Sequence, residues 1–221
     1  MANGRWTTAM EGAVSIEFDH VIRGVSDLDG AGTRLLSEHG LSSVAGGRHP
    51  GHGTGNRIVP PGTDYLELMA IVDRAEASES PLGRWVGEAL RDGDRFLALC
   101  LRTGSLDLVA ERLGLETLAM SRSKPNGETL RWRLAGLDRM MGPERLPFFI
   151  QWDVPLDRHP GREPADHRAA PLGLAWVELG GNARRIHEWV GTDGLDLRVV
   201  SGKPGVRALG IRTRAGEITI R

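Results

Sequence analysis

The side chains of this sequence that could do chemistry concentrate in residues 46–69, GGRHPGHGTGNRIVPPGTDYLELM. This stretch sets two histidines, an asparagine and two arginines ahead of Glu67, an acid flanked by Leu66 and Leu68. A carboxylate buried among apolar neighbours costs on the order of several kcal/mol unless a cation, a hydrogen-bond donor or a metal ion compensates it. We therefore expect Glu67 to have a partner and to act as a metal ligand or as a general base.

The partner that the sequence offers is His20, in the upstream stretch EFDHVIRG. Side chains alternate along a strand, so a strand here places His20 on one face with Phe18 and Ile22. If that face and the face of Glu67 point the same way, the two side chains meet. They then form a metal half-site or an acid–base pair, or else a buried hydrogen-bonded pair that only stabilises the fold.

Two histidines, His49 and His52, occupy the short turn HPGH. Their spacing could bring both imidazoles onto one ion, although histidines in a short loop can also simply be solvated. His49 lies between Arg48 and Pro50, where the backbone is stiff, and is the better candidate for a catalytic or substrate-orienting role. The glycines around this turn match neither Gly-x-x-x-x-Gly-Lys-Ser/Thr nor Gly-x-Gly-x-x-Gly, which argues against nucleotide binding.

Other polar side chains could bind the substrate. Asn56 and Arg57 are neighbours on a predicted strand, so only one of them can face a cavity. Further along, LRWRL places Arg131 and Arg133 on one face and Trp132 on the other. If the arginines face inward they form an anion clamp, because guanidinium pairs bidentately with carboxylate; otherwise they are solvated.

The bulk composition restricts the partners and the location. The 221 residues carry 28 basic and 29 acidic side chains, so we expect neither a nucleic acid nor a membrane surface as a partner. The lone cysteine, Cys100, permits no intrachain disulfide, which favours a reducing, cytoplasmic setting. No signal-peptide core opens the chain and no run of about 18 apolar residues occurs, so we expect a protein that is neither secreted nor membrane-spanning.

Three repeats of one strand, one helix and three strands organise the chain. We predict a flexible arm at residues 1–14, two βαβββ modules within residues 15–152, a His- and Pro-rich loop at 153–172, and a third module at 173–221. The third module either extends the sheet or makes a dimer contact, because an unpartnered module leaves a strand edge open.

The elements expected in each module follow from apolar periodicity and turn residues. In the first module they are a strand at 15–23, a helix that begins at Ser26 or Asp27 and ends at Gly40, and strands at 42–47, 55–60 and 64–71. A linking helix at 80–91 precedes the second module, with a strand at 95–102, a helix at 105–113 and strands at 116–121, 129–135 and 147–152. The third has a strand at 173–181, a helix capped by Asn182, and strands at 195–200, 205–212 and 216–221.

A repeated βαβββ unit with a histidine on its first strand and a glutamate on its last resembles the vicinal oxygen chelate superfamily. Within it, the sequence is most similar to the glyoxalase-like domain group, through FDHVIRGVSDLD, GGRHPGHGTGNR, YLEL, FFIQWD and the His-Pro pair at 159–160. The resemblance covers residues 16–190. It implies an α+β fold whose paired modules form a cup-shaped mixed sheet with helices on the outside, and a divalent metal ion held in the cup.

Carried over by position, the resemblance assigns the first-strand metal ligand to His20 and the last-strand ligand to Glu67. The second module departs from the pattern, because Ala98 or Cys100 stands where a second histidine would fall. Gln151 stands where a second glutamate would fall and is the remaining candidate ligand. A site of His20, Glu67 and Gln151 would hold a divalent ion loosely.

The predicted function is that of a small-molecule enzyme of the lyase, isomerase or dioxygenase type. It acts on a carbonyl or vicinal-oxygen substrate, with or without the help of a metal ion. The alternative is a binding protein that sequesters a small molecule without turnover, which the missing second-module ligands favour. A domain that serves mainly in assembly is a third possibility. His159 and His167 lie in the loop at 153–172, which either folds over the cup as a lid or is exposed.

Overall fold

The computed structural model describes residues 14–123, 127 and 129–221. Apart from Val14, the predicted arm at residues 1–14 lies outside the described residues. The first module consists of β1 (Ile16–Gly24), α1 (Leu28–His39), β2 (Val44–His49), β3 (Thr54–Val59) and β4 (Tyr65–Ile71). Two linking helices follow, α2 (Arg74–Glu79) and α3 (Pro81–Ala89). The second module consists of β5 (Arg95–Thr103), α4 (Leu106–Leu113), β6 (Thr117–Ser123), β7 (Thr129–Ala135), α5 (Leu137–Met141) and β8 (Phe148–Trp152).

The predicted cup-shaped mixed sheet is present. Eight strands pair in the order β2-β3-β4-β1-β5-β8-β7-β6. β1 and β5 run antiparallel at the centre and join the two modules, while β1 pairs with β4 and β5 with β8 in parallel. The outermost strands, β2 and β6, contact each other, so the sheet curls until its two edges nearly close. The predicted α+β fold class is confirmed.

Local signals in the sequence account for the helix of the first βαβββ unit. Asp27 caps α1 by accepting hydrogen bonds from the backbone N–H groups of Asp29 and Gly30. Gly40 ends the helix in the left-handed conformation, at φ 67°, which glycine adopts without strain. The linking helix expected at 80–91 is α3 with a following turn, whereas α2 and α5 were not predicted. Among the described residues, no helix has the length and apolar character needed to span a membrane.

Two hydrophobic clusters lie on opposite sides of the large sheet. The convex side packs Phe18, Leu99 and Phe149 against residues of α1 and α4. The concave side packs Ile22 and Ile150 against Val86 of α3 and Met140 of α5. Helices α1 and α4 therefore cover the outside of the cup, as predicted. Helices α3 and α5, which the sequence did not assign to the inside of the cup, fill part of its hollow.

The third module folds as β9 (Pro171–Gly180), α6 (Ala183–Val190), β10 (Leu197–Val200), β11 (Gly205–Thr213) and β12 (Gly216–Ile220). Its four strands form a sheet of their own, in the order β10-β9-β11-β12. Val177, Trp189 and Leu209 belong to the same hydrophobic cluster as the convex face of the cup. The module therefore packs onto the large sheet as a second layer and does not extend it by strand pairing, and the predicted dimer contact stays a prediction.

The loop at 153–172 is fastened to the first module. The backbone N–H of Ser42 donates to His167 Nδ1 at 3.0 Å, so Nε2 carries the proton and donates to the carbonyl of Pro60 at 2.9 Å. A Cβ on Gly161 would approach the carbonyl oxygen of Asp64 to 2.4 Å, so the loop packs tightly there. The loop is therefore part of the packed structure, and His167 has a structural role.

Asp64 joins the first module to the third from a buried position. Its Oδ1 accepts a hydrogen bond from the backbone N–H of Leu174 at 2.9 Å. Burial outweighs this bond and raises the pKa of Asp64 from 3.8 to about 6. The folded protein consequently holds the Asp64 proton more tightly than the unfolded chain does.

The raised pKa of Asp64 predicts a pH-dependent stability. The contribution of this group is present below the unfolded pKa of 3.8 and is lost as the pH rises through about 6. Asp64→Asn, which keeps an acceptor for Leu174 without the charge, should stabilise the protein at pH 8 by on the order of 2 to 3 kcal/mol and have little effect at pH 4. Urea denaturation at the two pH values measures this, with exposed Asp193→Asn as the control. Equal effects of Asp64→Asn at both pH values would contradict it.

Candidate functional site

The cup holds a narrow pocket between its concave face and helices α3 and α5. Its volume is about 80 Å³, counted as space open to the centres of water-sized molecules. Most of the wall is apolar or aromatic, and includes Leu82, Trp85, Trp132, Phe148 and Trp152. The polar part of the wall consists of His20, His49, Asn56, Tyr65, Glu67 and Arg122. An apolar pocket with a few convergent polar groups is the usual form of a small-molecule site.

The predicted meeting of His20 and Glu67 takes place in this pocket. His20 Nε2 lies 3.5 Å from Glu67 Oε2, and both side chains are buried. The neighbouring strands bring them together, because β1 and β4 pair in parallel with Ile22 opposite Glu67. The ring of Tyr65 stacks on the His20 imidazole with centroids 4.5 Å apart, which holds the plane of the imidazole.

Asp19 determines which nitrogen of His20 faces Glu67. A register shift of β1 against β5 falls at Asp19, and its Oδ1 lies 2.6 Å from His20 Nδ1. Asp19 is fully buried, which alone would raise its pKa, but hydrogen bonds from His159 and His20 hold that pKa well below its usual value. The ionised carboxylate accepts the Nδ1 proton, so it is Nε2 of His20 that faces Glu67.

The other oxygen of Asp19 ties the second module and the loop to the site. Trp152 Nε1 donates to Oδ2 at 2.9 Å, and His159 Nε2 lies 3.0 Å from it. The backbone N–H of Gly161 donates to His159 Nδ1, so it is Nε2 that donates to Asp19. His159 is 2% exposed, so it is neither exposed nor a mobile lid residue; it is a buried donor beneath the site.

Asn56 fixes the orientation of Glu67. Its Oδ1 accepts from the backbone N–H of Gly47 at 2.7 Å, so its amide nitrogen points the other way and donates to Glu67 Oε1 at 2.5 Å. A Cβ on Gly46 would lie 2.0 Å from Asn56 Oδ1. Glycine at position 46 is therefore required by the space that the amide occupies, and Asn56 leaves Glu67 Oε2 free to face His20.

His49 lies on β2 at the same end of the pocket. Its Nε2 is 3.8 Å from Glu67 Oε1 and 3.4 Å from Asn56 Nδ2, and its Nδ1 is 2.9 Å from Thr54 Oγ1. Burial lowers the pKa of His49 against the opposing effect of Glu67, so the imidazole is neutral. The other histidine of the turn, His52, instead approaches the Ser80 hydroxyl at 2.7 Å, away from the pocket lining.

Several predicted substrate-binding residues lie on the opposite face of the sheet. Arg57 donates to Asp29 Oδ1 at 2.9 Å and to Ser43, beneath α1, because strand alternation sends it outward when Asn56 faces inward. Arg133 pairs outside with Asp107 at 2.8 Å. Arg131 is exposed. None of these three arginines lines the pocket, so of the alternatives that the sequence left open, Asn56 and not Arg57 faces the cavity, and Arg131 and Arg133 lie outside it.

The predicted ligand Gln151 also faces outward. Its Oε1 accepts from the backbone N–H of Leu106 at 2.9 Å, at the start of α4. The register explains this placement: β5 and β8 pair Cys100 with Phe148, as β1 and β4 pair His20 with Tyr65. Two residues beyond Tyr65 is Glu67, whereas two residues beyond Phe148 is Ile150. The second module thus presents an apolar side chain where the first presents its acid.

A divalent cation would find two well-placed protein donors, His20 Nε2 and Glu67 Oε2. Asp19 accepts the proton of His20 Nδ1, as a carboxylate often does for a histidine that binds a metal ion through its other nitrogen. A second candidate group consists of Asp19, His20 and Cys100, whose ligand atoms lie within 4.8 Å of one another. There, however, the oxygens of Asp19 already accept hydrogen bonds, and burial raises the pKa of the Cys100 thiol, whereas a metal needs the thiolate. The pair of His20 and Glu67 therefore fits a cation better.

Sequence reasoning missed Asp19 and Arg122. Asp19 directly precedes His20, and strand alternation would have placed it on the opposite face without the register shift in β1. Arg122 lies in SRSKPNG, which reads as the start of a turn, yet it is 6% exposed and lines the pocket. Only the closure of the cup, which no local pattern encodes, brings Arg122 near His49.

Comparisons with known proteins agree with this architecture. A family model described as a glyoxalase-like domain matches residues 18–192. A hypothetical protein from Staphylococcus aureus superposes with a TM-score of 0.70 at 16% identity, over 94% of this chain and 99% of that one, and shares its fold. A methylmalonyl-CoA epimerase from Mycobacterium tuberculosis matches with a TM-score of 0.45 at 20% identity, over 63% of this chain and 89% of that one.

A comparison with curated protein sequences gives no match. The family match, by contrast, spans well over half of the chain and includes His20, His49, Asn56 and Glu67. It confirms the predicted relationship, and the protein belongs to the glyoxalase-like domain family.

Proposed function

We propose that this protein is a small-molecule enzyme that moves a proton on a carbon next to a carbonyl group, as an isomerase or lyase, with Glu67 as the general base. The observation that carries the proposal is the position of Glu67. Its carboxylate is 4% exposed, is oriented by Asn56 through Oε1, and faces His20 with Oε2 in a pocket with apolar walls. A carboxylate held in this way is a preorganised base.

In the proton transfer, Glu67 Oε2 takes the proton from the carbon, and the electron pair of the C–H bond moves onto the carbonyl oxygen. Return of the proton to the same or a neighbouring atom completes an isomerisation, and expulsion of a leaving group instead completes an elimination. Neutral His49 can orient a substrate oxygen at the same end of the pocket by donating from Nε2, while Nδ1 accepts a hydrogen bond from the Thr54 hydroxyl. The apolar walls exclude water, which strengthens each of these polar contacts.

As the alternative role of the same pair, we propose a divalent cation as cofactor, held by His20 and Glu67 together with water or substrate oxygens, with Glu67 as ligand instead of base. When bound, such a cation supplies a positive charge that polarises the carbonyl oxygen. The support is the pair His20 Nε2 and Glu67 Oε2, 3.5 Å apart, in which two acceptors face each other when His20 is neutral. A proton or a cation between them removes the resulting repulsion.

A second candidate function is sequestration of a small apolar ligand without turnover. It is favoured by the second module, which lines the pocket with Trp132, Phe148, Ile150 and Trp152 and adds no acid to it. Aromatic walls of this kind bind flat apolar molecules well without any chemistry.

The setting that we propose is the cytoplasm, with the protein as a homodimer. The buried, unpaired Cys100 is the support for a reducing compartment. Leu108 on α4 and Leu118 on the edge strand β6 are 54% and 51% exposed, and these two contacting elements offer a surface for a second copy.

Glu67→Gln should remove the activity. Glutamine keeps the shape and the contact with Asn56 but cannot accept the proton, so we expect a rate at least about 100-fold lower. The measurement is exchange of the carbon-bound proton with D₂O, followed by NMR, over a panel of carbonyl compounds with an acidic neighbouring C–H. Glu111→Gln on the exposed side of α4 is the matched control. Ligands that bind without any exchange in the wild type would favour sequestration instead.

Metal analysis tests the cofactor separately. Protein purified without chelators should carry about one equivalent of a divalent metal, and His20→Ala should lose it because one of only two protein donors is gone. His187→Ala, on the exposed surface of α6, should retain the metal. A wild type that stays metal-free after incubation with Mg²⁺, Mn²⁺, Zn²⁺ and Ni²⁺ would contradict a role for a cation and leave the proton transfer to Glu67 alone.

Gly46→Ala should misplace the carboxylate of Glu67 indirectly, through Asn56. The new Cβ would meet Asn56 Oδ1, so the amide must turn away from Gly47 and release Glu67. We expect exchange to slow by at least about 10-fold and stability to fall by about 1 to 3 kcal/mol, as for overpacking. Gly104→Ala, whose Cβ would contact nothing within 4 Å, is the control. An unchanged exchange rate in Gly46→Ala would show that Asn56 does not position Glu67.

A further inference from the structure

Arg122 is a buried cation that the proposed proton transfer does not use. It lies on β6 near the end of the strand, is 6% exposed, and its side chain lines the pocket. A guanidinium at such a position is costly unless an anion or hydrogen-bond acceptors compensate its charge. Arg122 therefore requires an anion or hydrogen-bond acceptors inside the pocket.

The register of the sheet explains why Arg122 points inward. Met120 pairs with Trp132 and Arg122 pairs with Leu130, and all four residues are on the concave side of the sheet or line its pocket. Ser121, between them, pairs with the exposed Arg131 on the outer face. The inward-facing arginine that the sequence offered on β7 is thus found on β6 instead, as Arg122.

The closure of the cup brings Arg122 to the chemically active end of the pocket. Strands β2 and β6, which carry His49 and Arg122, contact each other. Both side chains line the same pocket, and the positive charge of Arg122 adds to the burial that lowers the pKa of His49. Arg122 therefore faces the group of Glu67, His49 and Asn56 from the opposite edge of the sheet.

One donor atom of Arg122 lacks a partner. Its Nη1 is buried and finds no hydrogen-bond acceptor among the residues that the structure describes. Glu67, which is the acid of the pocket lining, directs its oxygens to Asn56 and His20 instead. A buried N–H group left in this way is a site for an acceptor supplied from outside the chain.

We propose that the substrate is a small carboxylic acid with an oxo or hydroxyl group on the neighbouring carbon and an apolar or aromatic body, whose carboxylate is bound by Arg122. The inference rests on the proposed function and adds the substrate class to it. A carboxylate at Arg122 places the adjacent carbons toward Glu67 and His49. The body of the molecule then lies along Trp85, Trp132 and the other apolar walls.

The pocket favours a carboxylate over a larger anion. Planar guanidinium and carboxylate groups pair through two parallel hydrogen bonds, and one arginine suffices for that pairing. A phosphate group would bring about two charges, whereas Arg122 is the one arginine in the pocket lining. The pocket therefore matches the single charge of a carboxylate.

The test compares acids with their uncharged esters in a binding assay that needs no turnover. Trp85, Trp132 and Trp152 line the pocket, so their fluorescence reports occupancy. The probes are pyruvate, phenylpyruvate and phenyllactate, each against its methyl ester. We expect at least one acid to bind the wild type at least about 10-fold more tightly than its ester, a preference that Arg122→Gln abolishes while ester affinity is kept. Arg131→Gln, on the outer face of the neighbouring strand, should keep the preference.

Two further variants make the outcomes unambiguous. Arg122→Lys keeps the charge without the fork and should retain only part of the acid preference, which covers the case in which Arg122→Gln fails to fold. Glu67→Gln should lose proton exchange yet keep the preference for acids, so failure of the proton transfer is distinguishable from failure of the carboxylate site. The proposal is overturned if no acid in the panel binds better than its ester, or if both Arg122 variants retain the full preference.

Discussion

A buried ionised carboxylate, that of Asp19, is the constraint on which the rest of the site depends. Such a group is tolerated only when hydrogen-bond donors surround it, and the chain supplies them from three separate segments: His20 on β1, Trp152 on β8 and His159 in the loop. Arg102 adds a positive charge at 3.7 Å. Satisfying one carboxylate thus joins both modules and the loop, and it also decides that His20 turns Nε2 toward Glu67.

The two modules divide the work, although they share one pattern. Corresponding positions hold Tyr65 and Glu67 in the first module and Phe148 and Ile150 in the second. The first therefore provides the polar end of the pocket and the second its apolar walls. A symmetric cup would hold a cation between two equivalent halves. This cup instead sets a single acid against an aromatic surface, which suits a substrate with one reactive end and one apolar end.

Much of this could be predicted because alternation and turn chemistry are local. The element order follows from counting along strands and from turn residues, the cup was implied by the resemblance to a known family, and the meeting of His20 with Glu67 was one of the alternatives that counting left open. The count failed for Gln151, since it is one residue out of phase with Ile150, and it could not choose between Asn56 and Arg57. Asp19, His159 and Arg122 were out of reach for another reason: a register shift, a buried loop and the meeting of two sheet edges are consequences of the whole fold.

The polar end of the pocket argues for function rather than for stability. The network around Asp19 holds segments together, and a structural role accounts for it. Glu67, His49 and Arg122 line a hollow, where replacing them with apolar residues of similar volume would cost no cross-link and would spare the desolvation of charge. Buried charges kept where packing does not need them mark places at which a sequence trades stability for chemistry. Glu67 and Arg122, of opposite sign, line the same pocket, so a small polar molecule inside it can be bound by one and meet the other.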